Sequence, residues 1–185
     1  MSVVVSLFLV SCSTSWNRYA EGMFHGKRLL REQDYAEART DFVKAAEAQQ
    51  RPAAYAFAAT ASYKMGDLPS AERYVMEAEQ LNGKDYSYVR TLGYKSLVLL
   101  REGKKEEGLA ALRQYVQVLR SISSPMGAGQ VETVTRQKPM DLAVLEKLVD
   151  EQAGQYESDL EQFQSTGTGF YSRPRMSRPG PSIVQ

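Results

Sequence analysis

The hexapeptides Gln33-Asp34-Tyr35-Ala36-Glu37-Ala38 and Gly66-Asp67-Leu68-Pro69-Ser70-Ala71 stand 33 positions apart, and the likeness runs on beyond them. Ala38, Phe42 and Ala45 fall opposite Ala71, Val75 and Ala78 with no change of offset. A third, weaker copy returns after 37 residues: Gly103-Lys104-Lys105-Glu106-Glu107-Gly108, followed by Leu112 and Tyr115. Its additional residues are assigned to the stretch around Asn82-Gly83-Lys84-Asp85. A self-similar period of this length marks one supersecondary unit stacked on itself. Steps of four and three between the apolar positions make the second half of the unit a helix, since residues so spaced share one face. Gly66 suits a turn that ends one helix, and Asp67 suits the cap of the next. Pro69 then falls in a first turn, where its missing N–H is harmless.

These residues resemble the tetratricopeptide family, in which a helix-turn-helix recurs about every 34 residues. The second copy carries most of the resemblance, with Tyr55 at the bulky position, Ala58 and Ala59 at the close-contact pair and Gly66-Asp67 in the turn. The first keeps Gly26 and Asp34-Tyr35, but has Gly22 and His25 where the family usually has Trp and Leu; His25 is expected to be a packing residue. The third has Leu92 at the bulky position, with Lys95 and Ser96 at the close-contact pair. Small residues are needed where helices cross closely, which is the physical sense of the alanines. The resemblance implies an all-α fold, a short α-solenoid of about three repeats over residues 19–122, divided near 19–51, 52–85 and 86–122.

A stack of repeats leaves an apolar face at its last helix, so an atypical covering helix is expected. Residues 139–164 supply it, with Leu142, Leu145, Leu148, Val149, Tyr156, Leu160 and Phe163 at helical spacing. This segment reads as a C-terminal capping helix packed on the third repeat. Between it and the repeats, residues 123–138 contain Pro125, Gly127 and Gly129 and read as a loop. Residues 165–185, rich in Gly, Pro and Arg, read as a disordered tail.

The N-terminus reads differently. An apolar stretch from Met1 to Val10 leads into Leu9-Val10-Ser11-Cys12 and then into polar Ser13-Thr14-Ser15. This resembles a bacterial lipoprotein signal, and the apolar run falls short of the roughly 20 residues that span a bilayer. The resemblance implies that residues 1–11 are a signal peptide, that Cys12 is lipidated and that 12–18 link the anchor to the repeats. It also implies the cell envelope as the location. Ser13 stands where an inner-membrane retention signal has Asp, which favours the outer membrane facing the periplasm.

Little in the chain points to chemistry. A single cysteine excludes an intramolecular disulfide and a cysteine-based zinc site. A net charge of +1 gives no nucleic-acid footprint. HExxH, P-loop, GxSxG and dinucleotide-binding glycine patterns do not occur, and no carboxylate pair stands out from the charged helix faces. The expectation is a protein that is not an enzyme and takes no cofactor or metal.

In the tetratricopeptide family the working surface is a concave groove formed by the first helix of each repeat. Carrying its positions across gives Met23, Lys27, Leu30 and Arg31 from the first repeat, and Ala56, Thr60, Tyr63 and Lys64 from the second. The third contributes Arg90, Leu97, Leu100 and Arg101. Five cations among apolar side chains suit an extended or helical peptide with acidic groups. The expected function is a membrane-anchored interaction scaffold or adaptor of an envelope assembly, binding a protein or peptide. The alternative is a periplasmic ligand- or transport-associated binding subunit, which a deep apolar pocket between the groove and residues 123–138 would favour.

Overall fold

Gln33, Gly66 and Gly103 all take left-handed backbone conformations, with φ of 66°, 78° and 77°. The residue after each begins a helix from nearly the same angles: Asp34 at φ −83°, ψ 73°, Asp67 at −81°, 73° and Lys104 at −75°, 64°. In all three turns the N–H groups of these two residues return to the carbonyls of Leu30 and Leu29, of Tyr63 and Ser62, and of Leu100 and Leu99. This pair of reverse hydrogen bonds satisfies carbonyls that a helix end leaves orphaned. Glycine takes the left-handed position freely, whereas Gln33 takes it at a cost.

The structure, a computed structural model, describes residues 4–81, 85–122 and 125–166, without the side chains of 4–13, 125, 126 and 164. It is all-α, with eight helices and no strand among the described residues. They are α1 Val4–Arg31, α2 Tyr35–Ala48, α3 Pro52–Lys64, α4 Leu68–Gln80, α5 Tyr88–Arg101, α6 Lys105–Ser121, α7 Pro125–Arg136 and α8 Leu142–Thr166. The three turns join α1 to α2, α3 to α4 and α5 to α6, and the partners of each pair lie side by side. No helix among the described residues is long and apolar enough to cross a membrane.

Small residues set the spacing as the sequence leads one to expect. Ala38, Ala45, Ala58, Ala59, Ala71 and Ala78 are fully buried, with Phe42 and Val75 beside them. Gly22, in the position usual for Trp, admits the α2 backbone: a Cβ there would lie 2.8 Å from the Asp41 carbonyl. Phe42 and Phe57 stack at 5.2 Å in a first core built from α1, α2 and α3. A second core joins α5 to α8, with Leu92, Leu97, Leu112, Tyr115, Val131, Leu145 and Val149 at its centre. Each fully buried side chain of this kind is worth about 1.5–3 kcal/mol against exposure.

Three expectations are corrected. The 123–138 stretch is largely helix, not loop, because Ala128, Val131 and Val134 recur every three residues and are all buried in the second core. Pro125 stands at the first position of α7, where it breaks no hydrogen bond. Residues 12–18, expected as a linker, lie inside α1, which continues unbroken to Arg31. His25 packs against nothing deep: its side chain is 45 % exposed, with Nδ1 2.5 Å from Asp41 and Nε2 2.6 Å from Arg28. The helix expected from residue 139 begins at Leu142, behind Asp141, which accepts from the N–H groups of Ala143 and Val144. Residues 82–84, expected to absorb the longer third spacing, and the 167–185 portion of the tail lie outside the described residues.

Candidate functional site

The positions carried over from the family fall on one face, formed by α1, α3 and α5, and α8 lies across it. Helix α8 packs directly on α5 and α7 and reaches α1 and α3 through long side chains. Gly93 allows the approach, since a Cβ at this position would stand 2.5 Å from Val149. Gly127 does the same on α7, where a Cβ would meet Gln152 at 2.3 Å.

Charge organises the contact. Between Leu142 and Thr166 the chain carries six carboxylates and one lysine. Glu146 and Asp150 both accept from Lys64 Nζ at 2.5 Å, and Tyr94 also donates to Asp150. Glu157 accepts from Arg90 Nε at 2.7 Å and from Nη2 at 2.8 Å. Glu161 accepts from Lys27 Nζ at 2.6 Å. The spacing from 146 to 157 and from 150 to 161 is eleven residues, about three helical turns, so both i,i+4 pairs share one face.

The cations in turn rest on aromatic rings. Arg90 lies 4.4 Å from the centroid of Phe57 and Lys27 lies 5.0 Å from it, with Lys27 also 5.2 Å from Tyr86. Arg101 lies 4.5 Å over Tyr63, whose ring meets Tyr94 edge-on at 5.4 Å. Burial disfavours the Arg90 cation, but the charge and hydrogen bonds of Glu157 outweigh it and raise its pKa. Lys64 behaves alike, burial working against it while Asp150 and Glu146 raise it above the ordinary lysine value. Burial, helped by Asp150, pushes the Tyr94 phenol well up.

The expected partner-contacting residues therefore divide. Lys27, Lys64 and Arg90 converge on α8. Met23, Tyr63 and Leu97 are buried and meet no partner while α8 is seated, and Thr60, also buried, turns its hydroxyl to the Ala56 carbonyl at the wall of a cleft. Leu30 is half-buried and Arg31 exposed, both lining a cleft of about 330 Å³ beside Tyr35 and Lys64; Arg101 is exposed as well. The face is thus not the open groove the sequence suggests, because the chain's own helix fills much of it. Cys12 belongs to α1. A larger apolar cleft, of about 720 Å³, lies between α6 and α7 against Leu109 and Val116.

Sequence reasoning missed the acidic residues altogether. Glu146, Asp150, Glu157 and Glu161 do form carboxylate pairs, bound to cations instead of poised for proton transfer. Their eleven-residue recurrence was a readable signal. Among the described residues, no three His, Cys, Asp or Glu side chains are grouped as metal ligands. Comparison with protein families, with curated proteins and with solved structures finds no match for the chain.

Proposed function

We propose that this chain is a lipid-tethered protein-interaction module of the tetratricopeptide type, an adaptor that holds an envelope protein or peptide on the face formed by α1, α3 and α5. The observation that carries this reading is the meeting of Lys27, Lys64 and Arg90 with the acidic face of α8. A surface that already grips one amphipathic helix by apolar contact and paired charge has the chemistry of helix-in-groove recognition. The three equivalent turns and the 33-residue offset support the repeat assignment.

The tether rests on Leu9-Val10-Ser11-Cys12. Because α1 is unbroken from Cys12 to the buried Tyr19, a lipid on Cys12 would hold the helical body close to the bilayer, about 10 Å of helix away at 1.5 Å per residue. Replacing Cys12 by Ala tests this: the variant leaves the membrane fraction if the anchor is real, and stays if it is not. For the face, Arg31→Glu with Arg101→Glu alters two exposed cations and leaves the ion pairs of α8 intact. Affinity capture by that variant loses partners that the native chain retains; unaltered partners contradict the reading.

A further inference from the structure

We infer that the last turns of α8, from Glu157 to Phe163, are an exchangeable latch, displaced by an acidic amphipathic helix of a partner protein that carries two carboxylates four residues apart. The inference rests on the proposed role of this face in binding proteins, and it names the ligand class.

The two halves of α8 are held differently. Leu145, Val149 and Ala153 are fully buried in the second core, and the helix comes within reach of α5 and α7 only because Gly93 and Gly127 lack side chains. This half is part of the fold. Beyond Tyr156, Asp159 is buried and Leu160 packs at the margin of the second core, Phe163 is half-buried, and Ser158, Glu161 and Gln162 are exposed. Here α8 reaches α1 through Lys27 and Glu161, and Glu157 forms a deeply buried ion pair with Arg90 of α5.

That pair decides what can open the latch. Lifting Glu157 away leaves a buried guanidinium without a counter-ion, a state that proteins avoid. Water alone therefore does not open it. A carboxylate arriving from another helix restores the fork of hydrogen bonds, and a second, four residues on, restores the partner of Lys27. Phe57 and Tyr86 beneath these cations give the incoming helix an apolar floor. Neutral or basic helices offer nothing to offset the loss of Glu157, so the latch itself discriminates among ligands.

The test uses the isotope-labelled full chain, read by amide hydrogen exchange, with an unlabelled peptide of residues 142–166 as probe and its Glu157→Gln, Glu161→Gln form as control. The acidic peptide is expected to raise exchange at 158–166 of the chain by about tenfold or more, leaving 145–153 unchanged, while the amide form does nothing. Unchanged exchange with the acidic peptide overturns the inference, as do equal effects of both peptides or opening of α8 as a whole. A dimer with 158–166 still protected in the presence of peptide also overturns it, in favour of exchange between copies. Failure here alongside a positive capture experiment with the Arg31 and Arg101 variant removes the latch and leaves the interaction module standing.

Discussion

Arg90 and Glu157, 67 residues apart in the chain, form a two-pronged ion pair in which each side chain is only 7 % exposed. A pair buried this deeply is strongly asymmetric in its energetics. Removing one member strands a charge and costs about 3–5 kcal/mol, whereas replacing both by apolar residues of similar volume is often neutral. Arg90→Met alone is therefore expected to lower unfolding free energy by several kcal/mol, and Arg90→Met with Glu157→Leu to recover most of it. Urea denaturation of the four chains in the cycle measures this; equal loss in single and double variants would contradict it.

The turn geometry makes a second prediction. Gln33 holds the left-handed conformation that Gly66 and Gly103 hold in the other two turns. Left-handed backbone costs a residue with a side chain about 1–2 kcal/mol, of which glycine's greater unfolded freedom returns about 0.5–1. Gln33→Gly should stabilise the chain by a few tenths of a kcal/mol or more, and Gly66→Ala should destabilise it. A thermal midpoint moving the opposite way in either variant would show that the three turns are not equivalent.

Alkaline pH should loosen α8. Burial raises the pKa of Tyr94 and of Tyr63, and the hydrogen bonds that Lys64 donates to Asp150 and Glu146 raise its own against its burial. Each of these groups holds its proton more tightly folded than unfolded. Their contribution is thus complete below about pH 10, the ordinary tyrosine value, and is lost as the pH climbs above it. Denaturant midpoints measured across this range should be flat below pH 10 on account of these groups and fall beyond it. A midpoint that rises above pH 10 would contradict the sign.

Trp16 is the only tryptophan in the chain. It is 46 % exposed and stacked at 5.7 Å on Tyr19, with Arg51 4.7 Å from its ring, one helical turn past Cys12. Amphipathic rings of this type settle at the membrane interface. In the lipidated chain reconstituted into vesicles, Trp16 emission should shift to the blue and be quenched by brominated lipid, and Cys12→Ala should show neither. An unshifted, unquenched signal from membrane-bound protein would mean that the anchor holds the body away from the surface.

The first helix pairs are legible because their register is local. Ala38, Phe42 and Ala45 declare a helix face within eight residues, and Asp34 and Asp67 declare its start. α7 is not legible because Gly127 and Gly129 favour a loop locally, whereas Gly127 is small to admit Gln152 and three apolar residues pin the segment. Lys27, Lys64 and Arg90 do share one face, as the spacing leads one to expect, but the helix that covers it is not legible. Whether Arg90 faces solvent or Glu157 depends on the placement of a helix whose contacting residue is 67 positions away, which no local pattern encodes. Only the eleven-residue recurrence of acids in α8 hinted that this helix has a charged face to satisfy.

Recognition of acidic helices by the proposed α1, α3 and α5 face is open to a binding titration. A fluorescent peptide of residues 142–166 is titrated with the full chain carrying Glu157→Gln and Glu161→Gln, whose own latch is weakened. A second titration uses the same chain with Lys27→Glu added. Saturable binding to the first chain is expected, with affinity lower by about tenfold or more for the second, as for the loss of a close interfacial charge pair. Equal affinity for the two chains, or no binding to the first while circular dichroism shows it folded, would contradict it.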